Sequence, residues 1–77
     1  MKPQIIRTRE ELAALDPDTM LATREAPDHA FTAEGPQYIA AQGRRVRRGW
    51  IPAVVIATGD QVRAARQALK EAADAVD

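Results

Sequence analysis

The sequence predicts an α+β fold, in which a small antiparallel sheet of about three to five short strands carries a short N-terminal helix and a longer C-terminal amphipathic helix. Three observations predict it. A helix-capping signal lies near the N-terminus, apolar runs separated by turn signals fill the middle, and an alanine-rich segment without Gly or Pro ends the chain. A chain of 77 residues has room for one small domain, which we assign to residues 1–77.

A first strand and a first helix are predicted in the N-terminal segment. The apolar run at 4–7 favours a strand. Thr8 and Glu11 have the spacing of a capping box, in which the Thr8 hydroxyl accepts from the Glu11 amide and the Glu11 carboxylate reaches back to the Thr8 amide. We therefore expect a helix over 8–15. It ends at Asp16, because the residue before a proline is disfavoured in the α region.

Further strands are predicted between the two helices. Each apolar or β-branched run is bounded by Gly, Pro or Asp residues that favour turns. The strands are expected at 19–24, 29–33, 37–42 and 50–57. Pro52 cannot donate a hydrogen bond to a neighbouring strand, so we expect it at a sheet edge or at the start of its strand.

The C-terminal helix is the element that the sequence predicts most directly. Thr58 and Gln61 form a second capping box, and the segment 60–76 is rich in alanine, which has the highest helix propensity. Apolar residues recur there at alternating spacings of three and four, which places them in one narrow stripe. The stripe contains Val62, Ala65, Leu69, Ala72 and Val76. Packing on the sheet is the interpretation we favour for it, and self-association is the alternative.

Two segments resemble a small module of uncharacterised proteins from actinobacteria and their phages. In that module a capped E-L-x-A-L helix is followed by L-P-x-G-T-V-V and by a β-meander with a tryptophan. Residues 11–15 match the helix, and residues 19–21 match T-V-V. Asp16 and Asp18 replace the proline and glycine of the pattern, and Trp50 lies further along the chain than its tryptophan. The resemblance covers about the first third of the chain and implies a small β-rich fold in a phage or actinobacterial setting.

Charge is balanced over the whole chain and segregated along it. Eleven Lys and Arg residues balance eleven Asp and Glu residues. Residues 1–43 carry four positive and seven negative charges (−3), whereas residues 44–77 carry seven positive and four negative charges (+3). Such asymmetry is typical either of an electrostatic binding face or of two halves that pack against each other.

The basic segment 44–50 is a candidate binding site for nucleic acid or phosphate. Arginine binds phosphate through paired hydrogen bonds, and tryptophan offers a surface on which bases stack. The candidate residues are Arg44, Arg45, Arg47, Arg48 and Trp50. Because nucleic-acid-binding domains usually carry excess positive charge, we favour a solvated surface or a protein interface. Trp50 is expected to be a core anchor, since a buried tryptophan supplies more apolar area than any other side chain here.

Catalytic chemistry has little support in the sequence. The chain contains neither cysteine nor serine, and His29 is its only histidine. A thiol enzyme, a serine hydrolase, a cysteine-ligated zinc site and a disulfide scaffold are therefore excluded. We predict no enzymatic activity, no metal, no cofactor and no small-molecule substrate.

The sequence therefore favours a non-enzymatic protein-interaction module of phage or actinobacterial origin, such as a virion or host-targeting component. It would act by self-association or by binding a protein partner, because a core of this size typically supplies only about 3–5 kcal/mol. Nucleic-acid or phosphate binding through residues 44–50 is the alternative. The sequence shows neither a signal peptide nor an apolar run of ~18 residues, so we expect no membrane contact and a cytoplasmic or virion-associated location.

Overall fold

The computed structural model describes residues 3–45 and 48–76, which form a four-stranded antiparallel sheet, three α-helices and one 3-10 turn. The strands are β1 (Ile5–Ile6), β2 (Met20–Thr23), β3 (Phe31–Thr32) and β4 (Ala53–Ala57). The helices are α1 (Arg9–Ala13), α2 (Glu34–Ala41) and α3 (Gly59–Val76), and the 3-10 turn spans Arg48–Trp50. The predicted α+β fold, with a short N-terminal and a longer C-terminal helix, is confirmed.

Strand β4 lies inside the sheet, between β1 and β2. The strand order is β1-β4-β2-β3, and every pairing is antiparallel. Ile6 of β1 lies opposite Ala53 of β4. A register shift between Met20 and Leu21 marks a bulge near the end of β4 from which α3 continues. Pro52 directly precedes β4, in agreement with the expectation that it lies at a strand start.

The core lies between one face of the sheet and α1. Its large, fully buried side chains are Ile6 from β1, Leu12 from α1 and Leu21 from β2, and two buried alanines complete the cluster. The prediction of Trp50 as a core anchor is wrong, because Trp50 is half-buried and lies outside the buried cluster of the described residues. Side chains from facing elements fill the core instead, whereas Trp50 belongs to the connecting 3-10 turn.

Helices α1 and α2 are joined by side chains that bind backbone carbonyl oxygens near the helix ends. Gln37 Nε2 donates to the carbonyl oxygens of Leu12 (3.0 Å) and Leu15 (2.8 Å). Arg9 donates to the carbonyl oxygen of Ala40 at 2.8 Å. The Leu12 and Ala40 carbonyls also accept from the backbone amides of Leu15 and Gly43, so the side chains add second hydrogen bonds that tie the two helices together.

The strand predicted at 37–42 is wrong, because residues 37–41 belong to α2 and Gln42 is its C-cap. The sequence Glu34-Gly35-Pro36 reads as a break between strands, but in the structure it is the first turn of the helix. Proline is compatible with a first turn, where its missing amide has no intrahelical acceptor to lose. Buried Pro36 also packs that turn against the domain.

Helix α3 extends beyond the rest of the domain. Its 18 residues span about 27 Å, and the longest dimension of the molecule is 45 Å. The radius of gyration is 14.1 Å, compared with about 11.5 Å for a compact chain of this length. The elongation comes from α3, because every residue from 63 to 76 is exposed.

Candidate interaction surface

A complete capping box starts α3 at the end of the sheet. Thr58 Oγ1 accepts from the Gln61 amide at 3.2 Å, and Gln61 Oε1 accepts from the Thr58 amide at 2.8 Å. Both hydrogen bonds of the predicted box are therefore present. Since β4 ends at Ala57, the box begins the helix immediately after the strand and fixes the point from which α3 leaves the sheet.

Acidic residues hold the first turns of α3 against the loop that follows α1. The two carboxylate oxygens of Asp16 accept from Arg63 at 3.0 and 2.7 Å. Asp18 accepts from Arg63 at 2.8 Å and from Arg66 at 3.3 Å. Asp60, within α3, also accepts from Arg63 at 2.7 Å. Part of the charge cancellation between the acidic and basic halves of the chain therefore occurs within one molecule.

The titration of this cluster follows from its hydrogen bonds. The Arg63 guanidinium, together with the Asp18 amide at 3.0 Å, lowers the pKa of Asp16 from 3.8 to about 2. The carboxylates of Asp16, Asp60 and Asp18 raise the pKa of Arg63 above its ordinary value. Because Asp16 and Arg63 are both more than a third exposed, solvent screens their attraction, and the pair orients α3 more than it stabilises the fold.

Gly59 allows the start of α3 to lie directly against Asp16. A Cβ atom at Gly59 would come closer to the Asp16 carboxylate than non-bonded atoms approach, so glycine alone fits this position without a shift. Gly59 and Val62 are the buried residues of α3. The first turn of the helix is therefore held by close packing as well as by charge.

Beyond that first turn, the predicted stripe of α3 faces solvent. Val62 is only 8% exposed, whereas Leu69 is 71% and Val76 is 86% exposed. Ala65 and Ala72 are exposed as well. Packing of the whole stripe on the sheet, the interpretation that the sequence favours, is therefore wrong beyond Val62. The reason is geometric, because α3 continues outward from the end of β4 instead of folding back across the sheet.

An apolar groove lies where the stripe meets the sheet. Its volume is about 390 Å³. Met20 and Ala57, which lie opposite each other in β2 and β4, form the wall contributed by the sheet. Val62, Ala65 and Leu69 form the wall contributed by α3. The first half of the stripe therefore belongs to a shaped concave surface, and its second half continues from that surface along the helix.

The basic segment begins at the C-terminus of α2. Gly43 has a positive φ of 75°, and its amide donates to the Ala40 carbonyl at 3.0 Å. The Arg44 amide donates to the Ile39 carbonyl at 3.3 Å, which completes a Schellman motif. The side chains of Arg44 and Arg45 are exposed. This helix end therefore fixes the backbone from which Arg44 projects.

Trp50 lies in a separate element, the 3-10 turn Arg48–Trp50, and is half-buried. The Glu25 amide donates to the Gly49 carbonyl at 3.1 Å and ties this turn to the segment after β2. Arg47 and the side chain of Arg48 lie outside the part of the chain that the structure describes. Because residues 48–50 form this turn, the strand expected at 50–57 begins only at Ala53.

The outer face of the sheet is a second apolar surface. Ile5 and Ala22 flank Val54 on the two neighbouring strands. Ile5 is 37%, Val54 is 36% and Ile56 is 56% exposed. Pro52 borders a cavity of about 410 Å³ on this face. These side chains are less exposed than Leu69 and Val76 of α3.

Sequence reasoning missed the sheet wall of the groove and the anchor of α3. Met20 and Ala57 meet through the pairing of β2 with β4, which joins segments far apart in the chain and has no local signal. Asp16 and Arg63 are equally distant, but the opposite charges of the two halves of the chain were a signal for some pairing of this kind. The sequence alone did not indicate which residues pair.

The carboxylates of Asp16 and Asp18 form salt bridges with Arg63 and Arg66 of α3. Within residues 3–45 and 48–76, no group of three His, Asp or Glu side chains is arranged to hold a metal ion. No helix in the same two ranges combines the length and the hydropathy needed to cross a bilayer. Comparisons with protein-family models, curated proteins and solved structures find no match to this chain.

Proposed function

We propose that this chain is a non-enzymatic protein-interaction module that binds a protein partner, or further copies of itself, through the exposed face of α3. The observation that carries the proposal is the exposure of Leu69 and Val76, which belong to a regular apolar stripe. Leaving such a stripe in water forfeits the main stabilisation that an amphipathic helix gains by packing. A second surface that covers Leu69 and Val76 supplies that stabilisation.

The anchored start of α3 supports this proposal. The capping box, Gly59 and the Asp16–Arg63 pair fix the position of the first turns of α3. The exposed turns that follow therefore leave the domain in a fixed direction. A binding element that is ordered in advance loses less conformational entropy when its partner docks. The groove beside Met20 and Ala57 adds a concave pocket at the base of the helix, which is the shape that anchoring side chains of a partner fill.

The biological setting is part of the same proposal. The resemblance of residues 11–15 and 19–21 to an actinobacterial and phage module favours an accessory protein of such a system, acting in the virion or on a host protein. Action within the cytoplasm or in the virion fits a module of this kind. The proposal requires no cofactor, metal or small-molecule substrate, because docking alone is the activity.

The experiment compares two variants that add the same charge to α3. Leu69→Glu places it at the centre of the stripe, and Ala64→Glu places it at an exposed position on a different side of the helix. The readouts are molar mass by size-exclusion chromatography with light scattering, and proteins retained from an actinobacterial lysate by each immobilised variant. We expect assembly or specific retention by the wild type and by Ala64→Glu, and its loss in Leu69→Glu. A monomeric wild type that retains nothing in a Leu69-dependent way contradicts the proposal.

Nucleic-acid or phosphate binding is a second candidate function. The exposure of Arg44 and Arg45 next to a fixed helix end favours it. It predicts an affinity for DNA or RNA that falls steeply with salt, and a loss of that affinity in the double variant Arg44→Ala with Arg45→Ala. Arg7→Ala, at an exposed arginine elsewhere, is the control. Absence of any mobility shift at low salt removes this candidate.

A further inference from the structure

We propose that the outer face of the sheet is a second interaction surface, which binds an acidic amphipathic segment of a different protein. We use the name outer-face site for Ile5, Ala22, Arg24, Pro52 and Val54, which border one cavity of about 410 Å³. This site contains no residue of α3, so it is independent of the interaction surface proposed for that helix. The segment places an apolar side chain in the cavity and a carboxylate beside Arg24.

The apolar part of the site is a row that crosses three strands. Ile5 and Ala22 lie opposite Val54, one on each side of it. Pro52 precedes Val54 by two positions and borders the same cavity. Antiparallel sheets commonly pack one face on the core and keep polar residues on the solvated face. A continuous apolar row on the solvated face departs from that pattern, and a ligand that covers the row removes apolar surface from water.

Arg24 adds a positive charge to this apolar row. It follows Ala22 by two positions, which lie on one face of an extended chain, and it lines the cavity. Its side chain is exposed and forms no ion pair or hydrogen bond with the other described residues. The neighbouring Glu25 side chain points elsewhere, because it fills the space that a Cβ at Gly49 would occupy. The Arg24 guanidinium is therefore available to a ligand.

Arg7 provides a second positive charge at the same end of the sheet. Ala53 pairs with the residue before Arg7 in β1 and with the residue before Arg24 in β2. Arg7 is exposed as well, and it too has no side-chain partner in the described part of the chain. Two arginines without acidic partners therefore lie at the end of the apolar row that Pro52 marks.

The charge and the cavity together define the chemistry of the partner. A guanidinium binds a carboxylate through two parallel hydrogen bonds, so the arginines select an acidic ligand. An apolar side chain that enters the cavity is the kind of buried anchor that protein interfaces use. A protein segment matches better than an anionic membrane, because membrane-binding clusters typically contain about four to eight basic residues and this end of the sheet has Arg7 and Arg24.

The first measurement is a selection from a random peptide library by the immobilised full chain. The double variant Ile5→Thr with Val54→Thr is the matched comparison, because threonine suits a strand as valine and isoleucine do while making the row polar. We expect the wild type to enrich sequences that combine Leu, Ile or Phe with Asp or Glu, and the double variant not to retain them. Far-ultraviolet circular dichroism checks that the variant is folded.

The second measurement is the dissociation constant of the most enriched peptide by fluorescence anisotropy. Arg24→Ala is expected to raise it about tenfold, because a charge-assisted hydrogen bond is lost. Arg44→Ala, at an exposed arginine next to α2, is expected to leave it within about twofold. A peptide whose carboxylates are replaced by amides is expected to bind the wild type as weakly as it binds Arg24→Ala. Leu69→Glu is expected to bind the acidic peptide as the wild type does.

Several results would overturn the proposal. Enriched sequences without acidic residues, or equal binding by the wild type and Arg24→Ala, reject the role of the arginines. A selection in which nothing depends on Ile5 and Val54 rejects the outer-face site as a binding surface. Loss of peptide binding in Leu69→Glu places the peptide on α3, which rejects the outer-face site and leaves the function proposed for α3 standing.

Two further probes test other occupants of the same face. Phosphatidylglycerol vesicles that bind the wild type, displace the peptide and fail to bind Arg24→Ala assign the face to a membrane. A wild-type dimer in sedimentation equilibrium that the double variant Ile5→Thr with Val54→Thr abolishes assigns it to a second copy. Either result rejects an acidic segment of a different protein. A monomeric chain that binds no vesicles and binds the acidic peptide through Arg24 supports it.

Discussion

The two ends of α3 share one helical pattern and have opposite environments. At its start, Gly59 and Val62 are buried, and Asp16 holds Arg63. From residue 63 to residue 76 every residue is exposed, although the apolar stripe continues at the same spacing. The stripe is therefore longer than the domain's own packing requires. The surplus length is the part on which the proposed interaction depends.

The largest expected contrast between the two ends comes from truncating one apolar side chain at each. Val62→Ala removes buried methyl groups and is expected to lower the free energy of unfolding of the monomer by about 2 kcal/mol. Leu69→Ala is expected to change it by no more than about 0.5 kcal/mol, because Leu69 is exposed. Urea denaturation at high dilution measures both values. Equal losses in the two variants would show that the exposed part of α3 packs on its own domain.

Local signals in the sequence predicted the elements of the fold well. The capping signals and the alanine-rich segment lie within single short windows, so both hydrogen bonds of the second capping box and the Glu11 amide to Thr8 hydroxyl bond of the first could be foreseen. In the first box the Glu11 carboxylate accepts from the Thr8 hydroxyl at 3.2 Å, whereas the sequence predicted the Thr8 amide as its donor. Helix α2 was missed because Glu34-Gly35-Pro36 is compatible with both a turn and a first helical turn. What decided between them was long-range, since Gln37 binds carbonyl oxygens of α1.

The environment of the candidate site was harder to predict than its residues. The spacing of Val62, Leu69 and Val76 correctly indicated one apolar face on one helix. Periodicity describes that face and not what covers it, so packing on the sheet and packing on another chain give the same pattern. The direction in which α3 leaves β4 keeps the stripe beyond Val62 away from the sheet, and Asp16, which contacts Arg63 at the start of α3, is far from α3 in the sequence.

The next largest effect is expected at the close contact that anchors α3. Gly59→Ala places a Cβ against the Asp16 carboxylate and forces a shift at the Asp16–Arg63 pair. The atoms that must move belong to the end of the Asp16 side chain, so the main consequence is a weaker Arg63 contact, which solvent already screens. We therefore expect this loss to reduce or cancel the gain of up to about 1 kcal/mol that alanine's helix propensity supplies, as measured by urea denaturation.

The matched control for Gly59→Ala is the same substitution in α2. A Cβ at Gly35 meets no atom within 4 Å. Gly35→Ala is therefore expected to raise the free energy of unfolding by up to about 1 kcal/mol, through helix propensity alone. If both variants were stabilised to the same extent, the close approach of Gly59 to Asp16 would not be part of the folded state in solution.

A smaller effect is expected from the titration of Asp16. The pKa of Asp16 is about 2 in the folded chain, whereas an unperturbed aspartate has a pKa of 3.8. The folded chain therefore binds a proton at Asp16 less readily than the unfolded chain does. The resulting stabilisation is fully present above pH 3.8 and is lost as the pH falls towards 2. We expect Asp16→Asn to be less stable than the wild type near neutral pH, and the difference to shrink over this acidic range.

Urea denaturation across pH measures that difference. Asp28→Asn, which neutralises an exposed aspartate outside the α3 anchor, is the control and is expected to show no comparable convergence. A stability difference between the wild type and Asp16→Asn that stays constant from neutral to acidic pH would mean that the Arg63 contact does not form. The start of α3 would then lack the charge contact with Asp16 that distinguishes it from the exposed end.

The smallest effect concerns the charges at the exposed end of α3. Neutralising Glu71 and Asp74, as Glu71→Gln with Asp74→Asn, removes negative charge from the negative end of the helix dipole, so the free energy of unfolding is expected to rise by roughly a few tenths of a kcal/mol. Helical spacing places both side chains on the side of α3 away from the stripe, so binding through Leu69 is expected to stay unchanged. Thermal unfolding at high dilution measures the stability, and the assembly and retention assays described for Leu69→Glu measure the binding. A loss of that binding in the double variant would show that the interaction surface of α3 extends beyond the stripe to its charged side.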